Sequence, residues 1–314
     1  MSNAHILVER KRRRRRLSPI LELYMVLLPL VLGSALIEGL WISRTRAKGY
    51  NWKEWATSLG DVAVRRLLAF APFGILAPVY FWAYDHRLCT LSADSVGGVL
   101  LLFVSLEFSY YCFHRASHTM RWFWNSHSVH HSPNSFTLAT AYRLGWLGKF
   151  SGATIFFTPM MLLGFEPVTV LIALQLNLIY QFWIHADWIP KLGWLEYVLN
   201  TPSAHRVHDS RNPEYLDANY GCVLIVFDRL FGSYIEERAD VPCQYGLVTP
   251  VTTYNPIRIN FDPWIGLAKD LASARSVRDA WMFLFGPPGW RPDGKGLTTK
   301  ELRAGVGVTR AAMT

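Results

Sequence analysis

Apolar residues in this chain come in long runs, with no alternating strand pattern of any length and no internal repeat. Five runs stand out: 19–42 (PILELYMVLLPLVLGSALIEGLWI), 67–84, 96–113, 150–164 and 167–185. About 20 apolar residues of helix cross a bilayer. The first run is therefore a spanning candidate, with Glu22 and Glu38 kept towards its ends. Pro72, Gly74 and Pro78 interrupt the second, which is the one expected to stop short of a full crossing. The turn GFEP joins the last two runs, and Pro167 suits the first position of a helix. They predict a tight helical hairpin that need not cross completely. Residues 262–286 mix Trp, Phe and Leu with Lys, Arg and Asp, as helices lying on an interface do. The expected fold is all-α: a basic segment at 1–18, a helical membrane domain at 19–290 and a loose polar tail at 291–314.

Composition supports the membrane reading. Apolar residues make up 51% of the chain and charged residues only 18%, little charge for a soluble protein of 314 residues. The 13 Trp and 14 Tyr are of the types that collect at membrane interfaces. A net charge of +9 fits a nucleic-acid binder or a protein drawn to anionic headgroups. The apolar content favours the second and predicts no nucleic-acid partner. Four cysteines (Cys89, Cys112, Cys222, Cys243) have no CxxC spacing and point to neither a zinc ribbon nor a disulfide framework. The run RKRRRRR at 10–16 precedes a long apolar stretch with no small-residue cleavage site. It reads as a retained, membrane-proximal basic segment, the alternative being a disordered basic tail.

Of ten histidines, eight fall in four places: His114 and His118 in HRASH, His127, His130 and His131 in HSVHH, His185 closing QFWIH, and His205 and His208 in HRVHD. Positions i, i+3 and i+4 share one helix face. HxxxH thus presents two imidazoles together and HxxHH three. Thr201 can cap, and Pro202 open, a short helix holding His205, His208 and Asp209 on one side. Glu107, Tyr111, His114 and His118 form a stripe on the third apolar helix, which aims Glu107 at the histidines as a partner fixing a ring tautomer. One ion uses about four to six ligands, so eight imidazoles imply two ions. Imidazole suits zinc, copper, iron and nickel alike. His5 and His86 stand apart and are read as non-ligands. Arg115 and Arg206 each follow a ligand histidine and are expected to pair with an acid such as Glu107 or Asp209, or with a lipid phosphate. Asp217, Asn219 and Asp228 read as structural residues of the turn after the last box.

With YYCFHR, NTPSAHRVH, NPEYLDANYG and DRLFGSY around them, these boxes resemble the fatty acid hydroxylase superfamily, also called the sterol desaturase family. QFWIH, LNTPSAHRVH and YGLVTP…NP are similar to its alkylglycerol monooxygenase branch. The resemblance implies an integral membrane helical bundle with a histidine-rich dimetal site. It implies a di-iron centre that uses O2 to hydroxylate, desaturate or otherwise oxidise a C–H bond of a lipid. The implied ligands are His114, His118, His127, His130, His131, His205 and His208, with His185 matching a further histidine of the branch. Asp209 departs from the pattern, which has histidine there; direct ligation, support of a ligand and decay of the site all stay open. Asp209 and Glu107 are the candidate catalytic carboxylates. No CxxCH, strand-borne GxGxxG or iron–sulfur pattern is present, so electrons are expected from an electron-transfer protein or a soluble reductant such as a reduced pterin. The alternatives are a zinc hydrolase or metal-handling membrane protein, and a non-catalytic relative that binds lipid. Fourteen Lys and Arg follow residue 185 and four lie between 114 and 149. The positive-inside rule then puts the site at the cytoplasmic face, of a bacterial inner membrane or of the endoplasmic reticulum in a eukaryote.

Overall fold

The computed structural model of the protein describes residues 19–68 and 74–311, and every regular element among them is a helix. Extended backbone amounts to three isolated bridges among those residues. The basic segment at 1–18, with its run at 10–16 and His5, lies outside the described residues.

Residues up to Tyr50 form one unit and the remainder a second. The first contains α1 (Pro19–Thr45), a helix of 27 residues. At 1.5 Å per residue it is about 40 Å long, more than a hydrocarbon layer of ~30 Å requires. Leu30, Ile37, Leu40 and Trp41 are exposed on it. The hydroxyls of Ser34 and Ser43 donate back to the carbonyls of Val31 and Gly39, at 3.0 and 2.8 Å. An apolar setting demands such local satisfaction of polar groups.

The second unit is built around α4 (Val96–Thr119), whose N-cap Ser95 accepts from the Gly98 amide. Its first half exposes Val96, Val99, Leu100, Leu101 and Val104. Its second half buries Glu107, Tyr110, Tyr111, His114 and His118. This is the second helix long and apolar enough to cross a membrane, α1 being the first. Against it packs α7 (Pro167–Trp183), while α3 (Ala77–Asp85) packs on α6 (Thr158–Leu163), and the four share a core that includes Leu102, Leu106, Met160, Met161 and Phe165. Pro167 opens α7, as its position predicts. The turn between the hairpin helices needs Gly164: its φ is +125°, and a Cβ there would lie 2.2 Å from the Cys89 carbonyl oxygen.

Four further helices frame the histidine end of α4: α2 (Trp52–Leu67), α5 (Arg121–His127), α8 (Pro202–His208) and α9 (Val226–Leu230). Then follow α10 (Pro256–Ala272), α11 (Val277–Phe285) and α12 (Thr299–Ala311). On α10 and α11, Ile257, Phe261, Ile265 and Trp281 are exposed, in line with interfacial helices.

One expectation needs correction. The tail from 291 is not loose throughout: α12 forms, Arg303 donates to the carbonyls of Pro213 and Leu216, and Thr299 donates to Asp217. Of the 67–84 stretch, residues 69–73 lie outside the described residues, and α3 is its described α-helix.

Candidate metal centre

The eight boxed histidines and Asp209 converge in two groups. His114, His118, His127, His131 and His208 form one; His130, His185, His205 and Asp209 form the other, with the ligand atoms of each group within 4.8 Å of one another. His86 belongs to neither and bonds to the Trp82 carbonyl. α4 delivers His114 and His118 one turn apart. α5 ends at His127, so His130 and His131 sit in the turn beyond it, where the spacing predicted one continuous helix. That turn lets neighbouring residues face opposite ways, and HSVHH serves both groups. HRVHD does the same from α8, which Thr201 caps by accepting from the Ala204 amide.

Ring orientation is fixed from outside. Nδ1 of His114, His130, His185 and His208 meets the carbonyls of Tyr220, Arg143, Gln181 and Ala218 at 2.8, 3.1, 2.7 and 2.8 Å. A carbonyl only accepts, so each of these rings carries its proton on Nδ1 and turns a bare Nε2 lone pair inward. The consequence is sharpest between His130 and His185. Their Nε2 atoms lie 3.4 Å apart with no proton to share. Burial, and then the neighbouring rings, holds His127, His131, His205 and His208 well below the ordinary imidazole range and pushes His130 down to about 4. Protonation cannot relieve the repulsion at neutral pH; a cation can. Nε2 of His118 and of His208 has no hydrogen-bond partner, another mark of a position for a metal.

Asp209 is 4% exposed, and neither carboxylate oxygen has a hydrogen-bond partner. Burial pushes its carboxyl well above the usual range. Its oxygens lie 3.5 Å from His131 Nδ1, 3.7 Å from His130 Nε2, 3.9 Å from Nε2 of both His185 and His205, and 4.0 Å from His208 Nε2. It lies against both groups as a buried carboxyl without a hydrogen-bond partner.

Glu107 is oriented elsewhere. It accepts from the Asn177 side chain at 2.7 Å and from the amides of Val223 and Leu224 at 2.9 and 2.7 Å. It ties α4 and α7 to the 223–224 backbone and sets no histidine tautomer. Arg206 pairs with Glu237 through two bonds, 2.8 and 2.7 Å, and Arg115 donates to the Tyr111 hydroxyl; neither reaches Glu107 or Asp209.

The loop NPEYLDANYG does more than hold a turn. Asp217 and Asn219 have positive φ, 52° and 58°, which their short side chains tolerate. Their alternation aims the Ala218 and Tyr220 carbonyls at His208 and His114, while Asp217 Oδ1 lies 3.4 Å from His118 Nδ1. One loop thus orients three imidazoles. Asp228 fixes it by accepting from the amides of Tyr220 and Gly221, both at 2.7 Å, and Asn219 by bonding Ala204 and Ile235. The role of Asp217 was missed in the sequence; its place three residues from a Tyr-Gly turn pointed only to structure. Aromatic rings close the sides, Phe136 stacked on His185 and Trp124 against His118 and His131.

The sequence model of the fatty acid hydroxylase family matches residues 99–233, the segment that holds all nine residues of the two groups. That segment belongs to the fatty acid hydroxylase family. It is 36% identical to an alkylglycerol monooxygenase of Xenopus tropicalis over 238 residues, 75% of this chain and 52% of that protein. To the Homo sapiens alkylglycerol monooxygenase it is 35% identical over 254 residues, 80% of this chain and 56% of that protein. An ornithine lipid hydroxylase, OlsE of Rhizobium tropici, is 27% identical over 137 residues, 43% of this chain and 41% of that protein. The chain spans about half the length of the curated relatives it matches. No solved structure matches it.

Proposed function

We propose that this chain is a membrane-bound di-iron oxygenase that hydroxylates or desaturates a C–H bond of a lipid, using O2 and electrons supplied from outside. The observation that carries the reading is the pair of inward-facing donor groups, nine residues in all, with bare imidazole nitrogens opposed at 3.4 Å and an unpartnered buried carboxylate between them. Such a donor set lacks only cations. His114, His118, His127, His131 and His208 would hold one ion and His130, His185, His205 and Asp209 the other. Bound iron would supply the activation of dioxygen and the oxidising power that an unactivated C–H bond requires. The family and the lipid-directed names of its relatives favour iron over zinc.

The chain's own contribution is positional. The 217–220 loop and the carbonyls of Arg143 and Gln181 hold the ring protons on Nδ1 and leave the Nε2 atoms bare and aimed inward. Phe136, Trp124 and Tyr110 exclude water from the donors. α4 runs from an apolar, exposed first half to the donors, so a lipid chain can approach without leaving the membrane. The helical domain at 19–290 is read as the integral membrane bundle. The site is placed at the cytoplasmic face, where reductant is available, on the strength of the Lys and Arg content of its flanking segments.

The test is oxygen uptake by the purified, iron-loaded protein with a reduced pterin or a reduced electron-transfer protein and membrane lipids. Products gaining one oxygen or losing two hydrogens, in step with O2 consumption, support the proposal. Full turnover with zinc and no O2 consumption overturns it. Reporters fused at residue 125 and at the C-terminus should both read cytoplasmic, and an external signal from either reverses the orientation.

A further inference from the structure

Beside the histidines lies a cavity of about 370 Å³, inside the ~300–1,000 Å³ range of small-molecule sites. Its floor is His118, His131, His208 and Asp209. Leu216, Leu247, Val248, Leu297 and Leu302 give it apolar walls. Its remaining charged lining is Arg211, Arg291 and Lys295, together with Asp217. One wall is the segment after α11, closed over the site by the Leu297 amide on the Gly289 carbonyl and by Thr299 on Asp217.

The charges do not balance. Asp217 is committed to His118 and Thr299. Asp209 faces the imidazoles. Arg291 bonds Asp270 at 2.7 Å, but Asp270 also receives Arg121, so two guanidiniums share one carboxylate. The side chains of Arg211 and Lys295 have no acidic partner among the described residues. A chamber with apolar walls, a donor floor and surplus cations suits an amphiphile with an anionic head.

We propose that this chamber receives the substrate's headgroup, and that the substrate is a phosphate-bearing single-chain lipid held by Arg211, Arg291 and Lys295. The inference rests on the reading of the chain as a lipid oxygenase and adds the class of lipid. A neutral glycerol head would leave Arg211 and Lys295 without an anionic partner and Arg291 sharing Asp270 with Arg121. A phosphate head engages guanidinium and ammonium groups through charge-assisted bonds and sets the reacting chain against the Leu walls.

The experiment is equilibrium binding to the full chain in neutral-lipid nanodiscs, with iron content measured on the same samples. The probes are an alkyl lysophosphatidic acid, the alkylglycerol of the same chain length, and inorganic phosphate. The phosphate lipid should bind about tenfold more tightly than the neutral one, a preference that shrinks with added salt. Arg211→Ala/Lys295→Ala should abolish that preference at unchanged iron content. Lys295→Glu, at an exposed position, should weaken it without endangering the fold. Equal binding of the two lipids, or a preference that survives both variants, overturns the assignment. So does inorganic phosphate binding as tightly as the lysophosphatidic acid, which would mark a free-anion site. Equal lipid binding with oxygen uptake intact refutes the headgroup alone. Phosphate-lipid preference without oxygen uptake upholds the headgroup site and refutes the oxygenase reading.

Discussion

Replacing Asp209 with alanine should act in opposite directions on the metal-free and metal-loaded protein. In the metal-free chain both Asp209 oxygens are buried without partners. An unsatisfied buried polar group costs about 1–3 kcal/mol even when neutral, and an ionised carboxylate several. Alanine removes that cost and leaves a small void that offsets part of it. A net gain of roughly 1–2 kcal/mol remains, and at about 2–4 °C per kcal/mol the melting temperature rises by some 2–8 °C. In the loaded protein the same change deletes a charged oxygen that touches both donor groups. Metal affinity should fall about 10–100-fold, equivalent to roughly 1.4–2.7 kcal/mol. Thermal unfolding of chelated and iron-loaded samples, with metal titration, measures both signs. Asp209→His supplies the control, because it restores the residue that the resemblance leads one to expect. If Asp209→Ala leaves metal affinity intact and the metal-free protein no more stable, or if Asp209→His binds metal more tightly, Asp209 is a decayed ligand and the reasoning fails.

Glu107→Gln should destabilise the fold by about 1–3 kcal/mol, since its one oxygen can serve the Val223 and Leu224 amides only by turning its NH2 against the Asn177 side-chain NH2; the folded fraction should bind iron normally, and a selective loss of iron would return Glu107 to the centre. Asp217→Asn should weaken iron binding by about 10-fold through His118 and also expose the segment after residue 288 to protease, because Asp217 holds both; loss of neither contradicts the positioning role. Acid should unfold the metal-free protein between about pH 6.5 and 4. His127, His131, His205 and His208 have folded-state pKa values well below the ordinary 6.5, and His130 sits at about 4, so the unfolded chain binds more protons in that window and stability drops as pH falls. An unfolding midpoint indifferent to pH across it would contradict the neutral, inward-facing imidazoles.

The ligand boxes were legible in the sequence because one ion needs several donors on one face, and HRASH and HRVHD meet that need through helical spacing. Their partition was not. His130 and His131 are adjacent and serve different groups, an outcome that depends on α5 ending at His127. The pairing of Glu107 with backbone amides of residues 223 and 224 is a long-range contact that a helix stripe cannot reveal. The work of the 217–220 loop is done by carbonyls, whose direction follows from two positive φ angles and not from side-chain identity. The ordered stretch after 291 is held by Thr299 on a residue 82 positions earlier, so local polarity read as looseness.

The most direct test is the metal content of protein purified without oxygen. Elemental analysis of the intact chain should give about two ions per molecule, mainly iron, and substitution of His118 or of His205 should each remove about one, since they belong to different groups. One ion per chain, or two stoichiometric zinc ions supporting full activity without oxygen consumption, would contradict the two-group di-iron centre.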